Sequence, residues 1–323
     1  MKTLVLGCGS IGKKHALNLK KLKLSKIVLC DTNENNLKSL GKIIGTPFQY
    51  TDYKAAIIAH SDIQHAIICT PSSDHISPSI YLAKNKINLL IEKPLSNTLV
   101  GIKILREIAK KNHVIIMMGH SFFFDSNYTK LKSLITSQRL GKIYSVDFTL
   151  KQFLPEWHLN SNYENEYTAR KELGGGVLLT LGSHIFYLIE WLFGKITDDF
   201  TCFTKRQGSL KINVDDSFYF LGETKNKTIV HINSNFISRV YRHDLTLDCE
   251  KGVVEFNFLK NSINIIFSNG TTKTIKIKHR HDRYYYELKH FLNLKKSSSI
   301  DKNLNLDSGI NFLKTIKKIP YYD

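Results

Sequence analysis

The first segment with chemistry in its spacing is Gly7-Cys8-Gly9-Ser10-Ile11-Gly12, a G-x-G-x-x-G sequence directly after the apolar run that starts at Thr3. At a strand-to-helix junction each glycine has a task. Gly7 permits the tight turn, Gly9 lets the backbone approach a pyrophosphate, and Gly12 lets the helix pack closely on the strand. The N–H groups of the first helical turn, through Ser10 and Ile11, then face the phosphates. Asp31 ends the next apolar run, nineteen residues past Gly12, where an acid binds the ribose hydroxyls of the adenosine. The alternative is a glycine turn followed by an unrelated acid. Asp31 also favours NAD over NADP. A 2′-phosphate held ~4 Å from its carboxylate costs roughly 4 kcal/mol per unit-charge pair at an effective dielectric of ~20. Thr32 and Asn33 supply no arginine, although Lys13 and Lys14 are near enough in sequence to soften the penalty.

The elements needed to hold such a site are legible around it. Short, continuous β-branched runs at Thr3–Gly7, Lys26–Cys30, His65–Cys69, Asn88–Ile91 and Val114–Met117 read as buried parallel strands. Helical patterns lie between them, at Ile11–Lys23, Asn35–Leu40, Tyr53–Ala59, His75–Lys84 and Leu99–Lys110. This alternation predicts an α/β fold with an N-terminal Rossmann dinucleotide-binding domain over residues 1–119. Beyond Gly119 the pattern becomes alternating, at Lys142–Gln152, Asp216–Leu221, Thr228–Ser234, Asp244–Cys249 and Val253–Phe258. Ile263–Phe267 and Thr272–Lys278 flank Asn269–Gly270, a type I′ hairpin signal. One strongly apolar helix, Val177–Phe193, stops at Gly194. Residues 120–323 therefore read as a substrate-binding and oligomerisation α+β domain with a mostly antiparallel open sheet. Its C-terminal helix near residues 308–319 is expected to pack back on the first domain.

Composition narrows the classes. The chain has 323 residues, 42% hydrophobic and 23% charged, with 6 Pro and 18 Gly; this excludes a disordered or collagen-like chain and leaves room for two ordinary cores. The net charge is +18, but only 8 of the 46 basic residues are Arg and they form no block. That argues for a solvated basic surface, or for a field that attracts an anionic small substrate, rather than for nucleic-acid readout. The five cysteines are odd in number and lack a C-x-x-C pair, which fits buried free thiols in a reducing cytoplasm. No run suggests a secretory leader, no apolar stretch of 18 residues suggests a membrane span, and no motif calls for a metal.

Three further segments fall in register with the glycine fingerprint: Cys69-Thr70-Pro71-Ser72-Ser73-Asp74-His75, Glu92-Lys93-Pro94, and Gly174-Gly175-Gly176 opening the helix that carries His184. Together they resemble the glucose–fructose oxidoreductase / inositol dehydrogenase (Gfo/Idh/MocA) family over nearly the whole chain, including helical segments near Arg283–Phe291 and Ser308–Ile319. The stretch Leu154-Pro155-Glu156-Trp157-His158, with Tyr163, Tyr167 and Ala169–Gly174, is similar to the branch found with surface-polysaccharide and nucleotide-sugar pathways. The resemblance implies that Thr70, Pro71 and His75 line the cofactor and that Glu92 binds its ribose, against simple turn chemistry and pairing with a neighbouring lysine. It implies that Lys93 touches both nicotinamide and the reacting hydroxyl, with its pKa lowered by the cationic ring. It makes His184 the acid/base, a role that an ordinary imidazole pKa of about 6.5 suits; read alone, a histidine on an apolar helix is a core residue.

The chain departs from the family pattern in three places. Thr180 stands one helical turn before His184 where an Asp is common; it can hydrogen-bond but cannot stabilise an imidazolium by charge. Tyr187 also replaces an Asp, and Phe123 an Arg. Trp157, His158, Tyr163, Tyr167 and Arg170 offer the apolar faces and hydrogen bonds that a sugar or sugar phosphate needs, or they simply anchor their loop; His120 is a further substrate candidate. The expectation is an NAD-dependent sugar oxidoreductase acting on a nucleotide-linked or amino sugar and forming a homo-oligomer, dimer or tetramer, with no nucleic acid or membrane partner. The alternatives are an NAD-dependent glycoside hydrolase with transient oxidation and a catalytically weakened NAD(H)-binding regulator.

Overall fold

The computed structural model describes residues 1–157, 162–279, 282–295 and 300–319. The chain forms two compact units. The first comprises residues 1–121 and 281–313, and the second residues 122–280 and 314–323.

The first unit is a six-stranded parallel sheet. Its strands are β1 (Lys2–Leu6), β2 (Lys26–Cys30), β3 (Gln49–Tyr50), β4 (Ile63–Ile68), β5 (Asn88–Glu92) and β6 (Ile116–Gly119), in the order β3-β2-β1-β4-β5-β6. Leu4, Val5, Ala66, Ile67, Ile68, Leu89, Leu90 and Ile91 are completely buried. Burial of consecutive residues means that both sheet faces are covered, which is why these strands read as unbroken apolar runs. The order reverses between β1 and β4, the crevice where doubly wound sheets bind ligands. Helices α1 (Ser10–Leu22), α2 (Glu34–Ile44), α3 (Tyr53–Ala59), α4 (Ile76–Lys84) and α5 (Ile102–Asn112) connect the strands. Their starts follow local chemistry: Asn33 caps α2 by accepting from the N–H groups of Asn35 and Asn36, and Asp52 caps α3 through Lys54.

The first unit differs from its sequence reading in three respects. Strand β3, two residues long, carries too little pattern to be read. Strand β6 starts at Ile116 rather than Val114, because the Val114 N–H is spent on the Ala109 carbonyl, 2.9 Å away, in closing α5. The larger change is at the boundary. The segment containing α8 (Arg283–Asn293) belongs to the first unit, for which local pattern alone predicts only residues 1–119. The strand-like pairing of Met117 with Asn305 and the Leu304 carbonyl on the Met118 N–H, 2.7 Å, extend the edge of the parallel sheet. This leads the chain into α9 (Leu306–Ile316).

The second unit is an eight-stranded sheet. Its strands are β7 (Ile143–Lys151), β8 (Ile196–Lys205), β9 (Ser217–Thr224), β10 (Ile229–Asn235), β11 (Arg242–Cys249), β12 (Gly252–Asn257), β13 (Ser262–Phe267) and β14 (Thr272–Lys276). They run in the order β14-β13-β12-β11-β7-β10-β9-β8, antiparallel except where β7 meets β10. Burial alternates along most of β10 and along β11, so one face is packed and the other open. Helices α6 (Ser126–Thr136) and α7 (Ser183–Phe193) and strand β8 complete the unit; α6 and β8 escaped the sequence reading. The turn at Asn269–Gly270 is not type I′. Only Gly270 is left-handed (φ 82), the Gly270 N–H returns to the Phe267 carbonyl at 2.9 Å, and the loop is a type I turn followed by a glycine bulge. The run Lys171–Phe193 is long and apolar enough by composition to cross a membrane, which the sequence reading had excluded. However, 83% of its most apolar window is buried within the protein, as in a core helix.

Leu247, at the centre of β11, is completely buried and paired with Val146 and Val254 on neighbouring strands. Leu247→Ala should cost about 2–5 kcal/mol, read as a lowered urea midpoint with an unchanged slope.

Candidate active site

The glycine turn is shaped by contact with its own neighbours. Gly7 has φ +92, and a Cβ there would lie 2.7 Å from the Cys69 backbone; a Cβ on Gly12 would lie 1.8 Å from the Gly7 carbonyl oxygen. At Gly9, by contrast, a Cβ would meet nothing within 4 Å. Gly9 is therefore the open point over the α1 N-terminus, which has no side-chain cap. A dinucleotide fits this cradle: unsatisfied helical N–H groups, an exposed glycine beside them, exposed Ser10 and half-buried Ile11 in the first turn. Asp31 is preset beside it. Its Oδ2 accepts from the Cys8 N–H at 2.6 Å and its Oδ1 from Asn33 N–H at 2.8 Å, which orients the carboxylate and leaves lone pairs for ribose hydroxyls.

Four residues expected to line the cofactor also make contacts within the protein. His75 is buried, with Nε2 2.8 Å from the Thr70 carbonyl and Nδ1 3.0 Å from the Pro94 carbonyl. It lies between the Thr70-Pro71 loop and the Lys93-Pro94 turn, and a neutral ring donates to one of these two carbonyls at a time. Burial lowers its pKa, with those carbonyls opposing the shift. Thr70 donates to the Asp74 carbonyl at 3.2 Å, and Pro71 begins the short helical turn Ser72–Asp74. Glu92, the expected ribose contact, sits directly before Lys93 and accepts from the Lys93 backbone N–H at 3.3 Å. It is 9% exposed, and its Oε1 lies 2.7 Å from His15 Nε2 on α1.

Lys93 follows β5 at its carboxyl end, joined to Pro94 by a cis peptide bond. Desolvation brings its pKa down to about 8; the Glu92 carboxylate opposes this and the Arg283 guanidinium adds to it. The ammonium is thus held close to its titration point at neutral pH. His120, just after β6, is buried, and its pKa is driven well below the ordinary range by desolvation and by Lys93. It stays a neutral imidazole.

In the second unit, Leu178–Gly182 is a π-helical segment running into α7, instead of one uniform α-helix. Thr180 is buried and donates its hydroxyl to the Gly176 carbonyl at 2.6 Å. That bond turns the hydroxyl proton back along its own helix and leaves the oxygen able to accept. His184 is half-buried, with its ring edge-on to Phe122 at 4.8 Å. The helix start is held by a residue that sequence reasoning missed. Asp215 accepts from the Leu178 N–H at 2.8 Å, and burial pushes its carboxyl up to about 6. Gly176 (φ +98) has no side chain because a Cβ would sit 2.1 Å from the Asp215 Oδ1.

The aromatic loop is largely self-anchored. The Arg170 Nε donates to the Glu164 carbonyl at 2.7 Å, and its Nη2 to Asn165 at 3.2 Å. The Tyr163 hydroxyl accepts from the Lys211 N–H at 3.3 Å. Tyr167 opens the short helical turn through Ala169. Trp157 packs edge-on against Phe236 at 5.3 Å, and its indole N–H meets no acceptor among the described residues. His158 lies outside the described residues. Phe123, the residue at the expected Arg position, stacks on Trp191 at 4.5 Å, and Tyr187 is buried with its hydroxyl raised by desolvation.

The two glycines separate binding from folding. Gly9→Ala should keep the melting temperature and weaken NADH binding at least about tenfold, or about 1.4 kcal/mol. Gly12→Ala should lower the melting temperature itself. Fluorescence titration with NADH and thermal melts of both variants check this.

Residues 1–120 match the oxidoreductase family with an NAD-binding Rossmann fold, and residues 128–255 match the GFO/IDH/MocA C-terminal domain. The chain is 26% identical over 200 residues to myo-inositol 2-dehydrogenase of Thermotoga maritima, covering 62% of this chain and 57% of that protein. It is 26% identical over 235 residues to glucose-6-phosphate 3-dehydrogenase of Bacillus subtilis, covering 71% of this chain and 65% of that one. The matches thus span under two thirds of both relatives. Among solved structures, the fold is similar to the WlbA dehydrogenase from Bordetella pertussis in complex with NADH and UDP-GlcNAcA. The TM-score is 0.80 at 18% identity, over 99% of this chain and 95% of that one. With both domains matched in order, the chain belongs to the GFO/IDH/MocA family of oxidoreductases, and its first unit is that family's NAD-binding Rossmann domain.

Proposed function

We propose that the protein is a cytoplasmic NAD-dependent dehydrogenase or reductase that moves a hydride between nicotinamide and a ring hydroxyl or keto group of a sugar. The observation that carries this reading is the shared edge of the parallel sheet. The glycine cradle after β1 and Lys93 after β5 both lie at the carboxyl ends of strands, where doubly wound folds gather their chemistry. NAD, when bound, supplies the hydride acceptor. Gly7, Gly9, Ser10, Ile11, Gly12 and Asp31 hold its pyrophosphate and adenosine ribose. Lys93 donates to the reacting oxygen and stabilises negative charge developing on it, and His184 takes the hydroxyl proton; ketosugar reduction uses the same groups in reverse.

The substrate we infer is a nucleotide-linked or amino sugar of surface-polysaccharide biosynthesis. The fold likeness to a dehydrogenase solved with UDP-GlcNAcA supports this, as does the net charge of +18. Trp157, Tyr163, Tyr167, Arg170 and His120 are its candidate contacts. Phe203, Leu221 and Ile229 stay exposed on the open face of the eight-stranded sheet, which supports a homo-oligomer, to be checked by light scattering.

A panel of nucleotide sugars and free sugars, screened for NADH formation, tests the reading. NADH binding without turnover on any sugar would favour a regulator, and product without net NADH a hydrolase. Lys93→Met and His184→Asn should each cut turnover by roughly 10²–10⁴, and the double variant by less than the product of the two. Because Lys93 loses its charge as pH rises through about 8, kcat/KM for hydroxyl oxidation should fall above that pH. Lys93→Met should lack that limb. NAD should bind more tightly than NADP, and calorimetry of both cofactors decides it.

A further inference from the structure

A buried cluster behind Lys93 has no part in the chemistry described so far. It joins α1, β5 and α8 within the first unit. His15 Nε2 on α1 lies 2.7 Å from Glu92 Oε1. Glu287 on α8 is completely buried, and neither of its carboxylate oxygens has a well-formed hydrogen-bond partner among the described residues. The candidate ligand atoms of His15, Glu92 and Glu287 all lie within 4.8 Å of one another. Two carboxylates and an imidazole are also a cation's donor set. Two features argue for a proton instead. The contact between His15 and Glu92 is a hydrogen bond, shorter than the roughly 3.3 Å between two ligands on a tetrahedral ion with bonds of about 2.0–2.1 Å. The cationic groups of Lys14 and Arg283 also stand in the same field.

We propose that His15 and Glu287 are positioning residues for Lys93: His15 fixes the Glu92 carboxylate next to the lysine, and Glu287 stands beside it as a neutral acid. This rests on Lys93 being the catalytic lysine. His15 donates from Nε2, since a carboxylate can only accept; its Nδ1 is buried without a partner, and the ring sits edge-on to Tyr284 at 5.2 Å. The other Glu92 oxygen, Oε2, accepts from the Lys93 backbone N–H at 3.3 Å. One carboxylate therefore links the α1 imidazole to the backbone of the catalytic turn. Two charged carboxylates this close in a dry pocket repel strongly, so one carries a proton. Glu287 is that one: burial, then the Glu92 charge, raise it well above the usual carboxylate range, with partial relief from Arg283 and the His120 backbone and a further push from Asp282. The charged groups that Lys93 senses are Glu92 on β5 and Arg283 on α8; His120 feels Lys93 in turn, and His75 feels Glu92.

The test reads Lys93 itself and not activity. The full-length protein is reductively methylated with 13C-formaldehyde and titrated by NMR, with the Lys93 signal assigned by its loss in Lys93→Arg. Glu92→Gln removes the charge and should lower the Lys93 midpoint by at least about one pH unit. His15→Leu should lower it comparably, because a buried carboxylate stripped of its donor takes up a proton. His15→Gln, which keeps an N–H, should restore most of the midpoint. Glu287→Gln exchanges one neutral group for another and should leave it in place. NADH binding confirms that each variant is folded; if His15→Leu is not, the Gln variants carry the comparison. An unmoved midpoint in Glu92→Gln or in folded His15→Leu, or a fall in Glu287→Gln as large as that in Glu92→Gln, overturns the proposal. A pH–rate profile that ignores Lys93→Met would instead overturn the catalytic reading and leave the NMR result standing.

Discussion

The cofactor-binding unit depends on one steric fact. Helix α1 can leave β1 where it does only because Gly12 projects nothing toward the Gly7 carbonyl, which a Cβ would approach to 1.8 Å. That close approach brings the first turn of α1 against the β1–β4 reversal and leaves its N–H groups without partners at the point where the sheet opens. The same crowding presses Gly7 on Cys69, so that the turn after β1 and the loop after β4 share a wall. Of the three fingerprint glycines Gly9 alone is uncrowded, and so the backbone is bare where a pyrophosphate is to approach.

Once the turn is closed, the rest of this edge is organised by buried polar groups. His75 lies between the Thr70 loop and the Pro94 turn, Asp31 is held by two backbone N–H groups, and Glu92 is held by His15. Each of these side chains helps to shape the protein, and Asp31 does so while keeping lone pairs toward the cradle. His75 and Glu92, which the family likeness expects at the cofactor, also tie together the scaffold around it. A buried polar group without a partner is costly, so a site built on loops needs such ties to hold its backbone in one arrangement.

The second unit solves the same problem with a helix start. Asp215 caps the segment that becomes α7, and Gly176 exists because a side chain there would collide with that carboxylate. The Gly174–Gly176 run is therefore a packing requirement of the helix bearing His184. The π-helical segment at Leu178–Gly182 changes the phase between Thr180 and His184. A spacing of four residues, which places two side chains on one face of an α-helix, does not carry that meaning through a π turn.

What the sequence by itself determined was whatever rests on local pattern: the strand runs, the glycine fingerprint, Asp31 at the end of β2, Lys93 at the end of β5 and the mostly antiparallel character of the second sheet. These follow from periodicity and from backbone conformations that only certain residues adopt. Tertiary structure decided the partners. His15 and Glu287 lie 272 residues apart in the chain, and no local signal pairs them. Each carried only the hint of a polar residue on an otherwise apolar helix face: His15 beside Ala16 and Leu19, Glu287 beside Tyr284, Leu288 and Phe291. The allotment of residues 281–313 to the first unit is likewise a matter of which surface a helix buries, not of its own pattern. Charge and hydrogen bonding act through space, so the neighbour that sets a side chain's chemistry is visible only once the chain has folded back on itself.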